Sequence, residues 1–131
     1  MSKIIVVEDD QFSQHFYSYL LNKAGYTPVI MEDGDKIIDT LSSDNIKLII
    51  MDINLKNTYF KGEKVNGIFL SKFIKQDNML SSVPILLVSA YSPMLKDEND
   101  FFTESLADDF ITKPIVDFNC LLNKVKALIK E

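Results

Sequence analysis

Short apolar runs alternate along the chain with longer amphipathic stretches. Residues 3–7 are continuous and rich in β-branched side chains, the pattern of a strand buried on both faces. Phe12, Phe16, Tyr19, Leu20 and Ala24 then recur at helical spacing, and Gly25 stands where it would close that helix. Residues 26–31 predict a second, weaker strand, and Ile37, Ile38 and Leu41 mark a short helix after Gly34. Residues 46–51 form a third apolar run that stops at Asp52. Next come residues 53–66, which hold Lys56, Asn57, Lys61, Gly62, Glu63, Lys64 and Asn66 and read as a long polar loop. Helical patterning returns over residues 68–75 from Gly67, and residues 84–88 predict a fourth strand ending at Ser89. A helix through Phe101, Phe102 and Leu106 precedes a short fifth strand over residues 109–112. The last helix opens at Asp117, a good N-cap, and carries Leu121, Leu122, Val125, Leu128 and Ile129.

These are five strand–helix pairs without a repeat or a low-complexity segment. Strands alternating with helices imply an α/β fold with a mostly parallel sheet covered on both faces. Right-handed crossovers put successive helices on the two sides. The expected architecture is a doubly wound five-stranded parallel sheet of order 2-1-3-4-5, the flavodoxin-like arrangement.

Composition narrows this picture. A chain of 131 residues suits one domain spanning 1–131, and 47% hydrophobic with 25% charged residues is a globular balance. With 14 basic and 19 acidic residues the net charge is −5, which argues against a nucleic-acid surface. Cys120 is the single cysteine and lies in a helical pattern, where a structural role is expected rather than chemistry; the lack of a second cysteine fits a reducing compartment. One histidine, His15, gives no basis for a Cys/His metal site or a Ser–His pair. Neither a signal peptide nor an apolar run of membrane-spanning length is visible, so the expected location is the cytoplasm.

In an open parallel sheet, ligands bind beyond the carboxyl ends of the strands. The first strand ends in Glu8-Asp9-Asp10, the third in Asp52, the fourth in Ser89-Ala90 and the fifth in Lys113-Pro114. If those strands are neighbours, several carboxylates crowd against one lysine. Crowded carboxylates repel unless a cation joins them, and Mg²⁺ takes hard oxygen ligands. An ionised aspartate attacks phosphorus without a general base. Phosphoryl transfer then requires in-line positioning and neutralised equatorial oxygens. Each signal has an ordinary counterpart: Glu8-Asp9-Asp10 as a helix start, Lys113 as a surface lysine and Phe110 as core. A carboxylate at the end of an apolar run, Asp52, is harder to explain that way.

Four segments resemble the signatures of response-regulator receiver domains: Ile4-Ile5-Val6-Val7-Glu8-Asp9-Asp10, Leu48-Ile49-Ile50-Met51-Asp52-Ile53-Asn54-Leu55, Ile85-Leu86-Leu87-Val88-Ser89-Ala90 and Asp108-Asp109-Phe110-Ile111-Thr112-Lys113-Pro114. They occur in order over essentially the whole chain. The resemblance implies that Asp52 is the phosphorylated aspartate, that Asp9 ligates Mg²⁺ with help from Glu8, and that Asn54 offers its backbone carbonyl. It implies that Ser89 and Lys113 hold the phosphoryl group, that Pro114 follows a cis bond, and that Ser89 and Phe110 form the switch pair. It further implies a phosphohistidine donor on a sensor histidine kinase or histidine phosphotransfer protein. Output to a downstream protein target would use the fourth helix, fifth strand and fifth helix.

The chain departs from the pattern in places. Asp52 to Gly67 spans 15 residues, longer than the usual loop, and Lys56 stands where Pro is common. Ser89 to Lys113, 24 residues, is slightly long, Ser89 replaces the commoner Thr, and Phe110 the commoner Tyr. These changes bear on lifetime and partner choice more than on chemistry. The chain ends 17 residues after Pro114, which suggests a stand-alone receiver that stores a signal and is not a multiple-turnover enzyme. Two other readings are a receiver-like interaction module independent of phosphorylation and an aspartyl-phosphate phosphatase. The second lacks an acid two residues after Asp52, where Asn54 stands.

Overall fold

The computed structural model describes residues 2–90 and 98–131. Its elements are β1 (Lys3–Val7), α1 (Gln11–Lys23), β2 (Thr27–Met31), α2 (Gly34–Ser43), β3 (Ile46–Asp52), β4 (Tyr59–Phe60), β5 (Glu63–Lys64), α3 (Gly67–Gln76), β6 (Ile85–Ala90), α4 (Glu98–Ser105), β7 (Asp109–Lys113) and α5 (Phe118–Ile129). Five strands pair in parallel in the order β2-β1-β3-β6-β7. Because β6 and β7 are the fourth and fifth strands of the sequence reading, this is the expected 2-1-3-4-5 order.

The continuous apolar runs are explained by the two cores they feed. Successive strand residues point to opposite faces. Ile5, Val7, Ile49, Met51, Ile85 and Leu87 pack with Ile37 and Leu41 of α2 and Leu70 and Ile74 of α3. Ile4, Val6, Leu48, Ile50, Leu86 and Val88 pack with Tyr17, Leu20 and Leu21 of α1 and Leu121 and Val125 of α5. Each such buried aliphatic contributes roughly 1.5–3 kcal/mol over exposure.

Helix α1 departs from its expected face. Phe12, Tyr19 and Ala24 are exposed, while Tyr17, Leu20 and Leu21 are buried. Positions 17, 20 and 21 make one stripe at i, i+3, i+4. The aromatics at 12, 16 and 19 form the neighbouring stripe, so helical periodicity alone could not choose between them. The end of the helix follows expectation. Gly25 takes φ 93°, its N–H donates to Asn22 O at 3.1 Å, and Tyr26 N donates to Leu21 O at 2.9 Å. That is the paired bonding of a Schellman cap.

Other expectations need correction. Cys120 is exposed on α5 rather than buried in the core. Leu106 lies beyond α4, exposed, in the left-handed region at φ 60°. The expected start of that helix and the slightly long Ser89–Lys113 stretch involve residues 91–97, outside the described residues.

Residues 53–66 are not a plain polar loop. They contain a small antiparallel hairpin in which Tyr59 pairs with Lys64 and Phe60 with Glu63. Lys61 (φ 52°) and Gly62 (φ 81°) both sit at positive φ, the geometry of a two-residue type I′ turn. The ring of Phe60 is buried and meets Phe73 of α3 edge-on at 4.8 Å. Gly34 makes room for it, since a Cβ there would stand 2.9 Å from the Phe60 Cβ and 2.7 Å from the Tyr59 carbonyl oxygen.

Candidate functional site

Parallel register delivers four of the expected residues to one end of the sheet. Val7 pairs with Met51, so Glu8 follows directly beside Asp52. Asp52 pairs with Val88, placing Ser89 one residue beyond it, and Ala90 pairs with Lys113. Asp52 is the last residue of β3 and is only 3% exposed; Glu8 is 1% and Ser89 2% exposed. Three buried polar side chains at adjacent strand ends, with no apolar reason to be there, mark a site.

The Asp52 carboxylate is held at both oxygens. Oδ1 accepts the backbone N–H of Asn54 at 3.0 Å, and Oδ2 accepts the Lys113 ammonium at 2.9 Å. The same ammonium lies 3.6 Å from Glu8 Oε1. Lys113 thus stands between two buried carboxylates as their shared cation, and its peptide bond to Pro114 is cis. Burial pushes the Glu8 carboxyl up to about 7, helped by its hydrogen bond with Asp52 and the charge there, against the opposing pull of Asp10 N–H and Lys113. For Lys113, burial opposes the charged form, but the hydrogen bond and charge of Asp52, with Glu8 behind them, raise it above its ordinary value. Burial also raises Tyr17, reinforced by the charges of Glu8 and Asp52.

Among the described residues, two buried side-chain atoms here find no hydrogen-bond partner, Glu8 Oε1 and Ser89 Oγ. An unsatisfied buried oxygen costs roughly 1–3 kcal/mol, so both suit a group that arrives from outside. The cleft at Glu8 and Asp52, about 330 Å³, is lined by Glu8, Asp9, Asp10, Ser13, Asp52, Asn54, Lys56, Asn57 and Lys113, with Ser89 next to Asp52 in the ladder but not on the cleft wall.

The remaining expected residues are placed differently. Asp10 is the N-cap of α1, its carboxylate accepting Ser13 N–H at 2.9 Å, so one member of the acidic triplet does take the ordinary helix-start role. Asp9 turns towards the inserted segment, where Oδ2 accepts the backbone N–H groups of Lys56 and Asn57. Among the described residues no three carboxylate, imidazole or thiolate groups stand together as a ready metal cage. Asn54 is exposed at the rim. Phe110 is half-buried on the other face of β7, 5.3 Å from the ring of Phe102, and does not enter the cleft.

Sequence reading missed three participants. Lys56 and Asn57 act through their backbone, which leaves no side-chain signature. Gly67 is the third: a Cβ there would come within 2.0 Å of the Asp52 carbonyl oxygen. Only glycine lets the start of α3 rest against the end of β3, and the signal was a glycine directly after a polar segment.

Comparison with known proteins identifies the fold as that of a signalling receiver domain. Residues 4–126 match the family model described as the response regulator receiver domain; the chain belongs to that family, the receiver module of two-component signalling. It is 31% identical to the CAI-1 autoinducer sensor kinase/phosphatase CqsS of Vibrio cholerae, over 97% of this chain but 17% of that protein. It is 25% identical to the polar-differentiation response regulator DivK of Brucella anthropi, over 86% of this chain and 84% of that one. The fold superposes on the receiver domain of a signal transduction histidine kinase from Syntrophus aciditrophicus with TM-score 0.80 and 26% identity, covering 99% and 91% of the two chains. It also superposes on the receiver domain of sensor histidine kinase PA1611 from Pseudomonas aeruginosa, solved with a magnesium ion in its active-site cleft, with TM-score 0.79, 19% identity and coverage of 99% and 98%.

Proposed function

We propose that Asp52 accepts a phosphoryl group from a phosphohistidine on a sensor histidine kinase or histidine phosphotransfer protein. The observation that carries this reading is the buried Asp52 carboxylate, paired to Lys113 at 2.9 Å, beside a buried Ser89 hydroxyl that has no hydrogen-bond partner among the described residues. In the transfer, an Asp52 Oδ–P bond forms as the P–N bond to the donor imidazole breaks, and the electron pair stays on the imidazole nitrogen. Lys113, already on the carboxylate, follows onto a phosphoryl oxygen. The Ser89 Oγ–H donates to a second oxygen, ending its unsatisfied state. Phe110 and the face of α4, β7 and α5 then carry the response to a protein target, through packing with Phe102 because a phenyl ring has no hydroxyl.

The donor set fits Mg²⁺. Glu8, Asp9 and Asp52 offer hard oxygens, with Lys113 paired to two of them, and Glu8 Oε1 has no hydrogen-bond partner among the described residues. Glu8, Asp9, Asp52 and the Asn54 carbonyl would hold the ion, which when bound supplies charge neutralisation for the transferring oxygens. The protein itself gains and slowly loses the group and does not turn over a substrate. No described helix is long and apolar enough to cross a membrane, in keeping with a cytoplasmic partner of such kinases. The test is incubation with acetyl phosphate or beryllofluoride, with and without Mg²⁺, read by intact-mass and NMR shifts. Modification of the wild type and none of Asp52→Asn is expected; a wild type that stays unmodified in Mg²⁺ refutes the reading.

A further inference from the structure

The bonding of Asp9 is at odds with an assembled metal site. Its Oδ2 accepts two backbone N–H groups from the inserted segment, those of Lys56 and Asn57, the latter at 2.8 Å. Two amide donors on one oxygen fix the carboxylate's direction and neutralise part of its charge. Among the described residues no three-acid cage exists, and Asp9 is turned to these amides. The first of those donors depends on a departure already visible in the sequence. A proline at position 56, where the chain has Lys56, would have no N–H to give.

We propose that Asp9 is shared between two duties, and that the backbone N–H groups of Lys56 and Asn57 compete with a divalent cation for its carboxylate. Lys56 is thereby an affinity-setting position for the metal, acting through its amide. The inference rests on the proposed role of Glu8, Asp9 and Asp52 as metal ligands. Metal binding draws Asp9 away, and the start of the insertion loses its anchor. The hairpin beyond keeps separate ones: Asp35 accepts Lys61 N–H at 3.1 Å, and Phe60 packs on Phe73. The release is therefore confined to residues 56–57 and the turn leading to β4.

Calorimetric titration of the unphosphorylated chain with Mg²⁺ tests this, comparing wild type, Lys56→Pro and Lys56→Ala. Lys56→Pro and Lys56→Ala both lose the ammonium but only Lys56→Pro loses the N–H, and removing one of two charge-assisted donors should make its Mg²⁺ binding about tenfold tighter than that of Lys56→Ala. Amide hydrogen exchange on the wild type supplies a second readout that needs no variant. Mg²⁺ should speed exchange at Lys56 and Asn57 while leaving Lys61 unchanged. Wild-type protein that binds no Mg²⁺ overturns both the metal reading and this inference. Wild type that binds Mg²⁺, with Lys56→Pro binding no more tightly than Lys56→Ala, overturns the competition alone. If Lys56→Pro does not fold, unchanged protection of Lys56 and Asn57 in Mg²⁺ overturns it instead.

Discussion

The strand-end cleft and the inserted segment after β3 lie side by side but are built by different means. Glu8, Asp52, Ser89 and Lys113 stand where the parallel ladders put them: their neighbours Val7–Met51, Asp52–Val88 and Ala90–Lys113 are in register. Many backbone hydrogen bonds and two cores hold that register. The hairpin has four paired residues. It stays in place through a few side-chain contacts, namely Asp9 on Lys56 and Asn57, Asp35 on Lys61, and Phe60 against Phe73 and Gly34. A position fixed by register tolerates replacement of a single neighbouring side chain. A position fixed by three or four clasps does not.

Gly67 is where the two regions meet, so substitution there should damage both. In Gly67→Ala the new methyl would lie 2.0 Å from the Asp52 carbonyl oxygen, a backbone atom that the sheet holds. A loss of about 4 kcal/mol or more is expected in urea unfolding, with displaced Asp52 and Asn54 resonances. Wild-type stability would show that α3 is free to slide off the strand end.

Phe60→Ala should break the insertion alone. Losing a buried aromatic costs about 3 kcal/mol, and the cross-peaks between Phe73 and the hairpin should vanish. If the cleft is set by register, modification of Asp52 by acetyl phosphate should survive. Its loss would show that the hairpin shapes the site.

The cleft has its own signature in pH. The Glu8 carboxyl is raised in the fold from 4.5 to about 7, so the folded state keeps a proton that the unfolded chain has already released. That contribution is fully present below about pH 4.5 and is lost as pH rises through about 7. In Mg²⁺-free buffer the stability gap between Glu8→Gln and wild type should therefore shift in the variant's favour from pH 5 to pH 8, by on the order of 2 kcal/mol. A gap independent of pH would mean that Glu8 ionises in the fold as it does in water.

The smallest effect is expected at the hairpin tip. Gly62 has φ 81° and open space around it, so Gly62→Ala incurs only the left-handed penalty of about 1 kcal/mol. Thermal unfolding should register that loss with no change in Mg²⁺ binding.

Legibility followed the same division. The continuous runs 3–7, 46–51 and 84–88 announced strands buried on both faces, and each places its polar residues at a strand end. Asp52 could be singled out because a carboxylate after such a run has nowhere to go but the sheet edge, and Lys113 because it stands before Pro114 at a strand end, with the acids at the other ends. The hairpin was hidden because its strands are two residues long and its turn uses Lys61-Gly62 rather than Asn-Gly. The buried face of α1 was ambiguous because apolar residues occupy adjacent stripes of that helix.

What the sequence determined alone is therefore the alternation of elements and the polar residues at the strand ends, since these follow from local pattern, whereas the order of the sheet rests on which strands pair. Tertiary structure decided where those polar groups point. Asp9, Asp10 and Glu8 are consecutive, yet one clasps the insertion, one caps a helix and one faces Lys113. A carboxylate's partner is chosen by whichever donors the fold brings within about 3 Å, and for Asp9 the decisive donors are backbone N–H groups more than forty residues away in the chain.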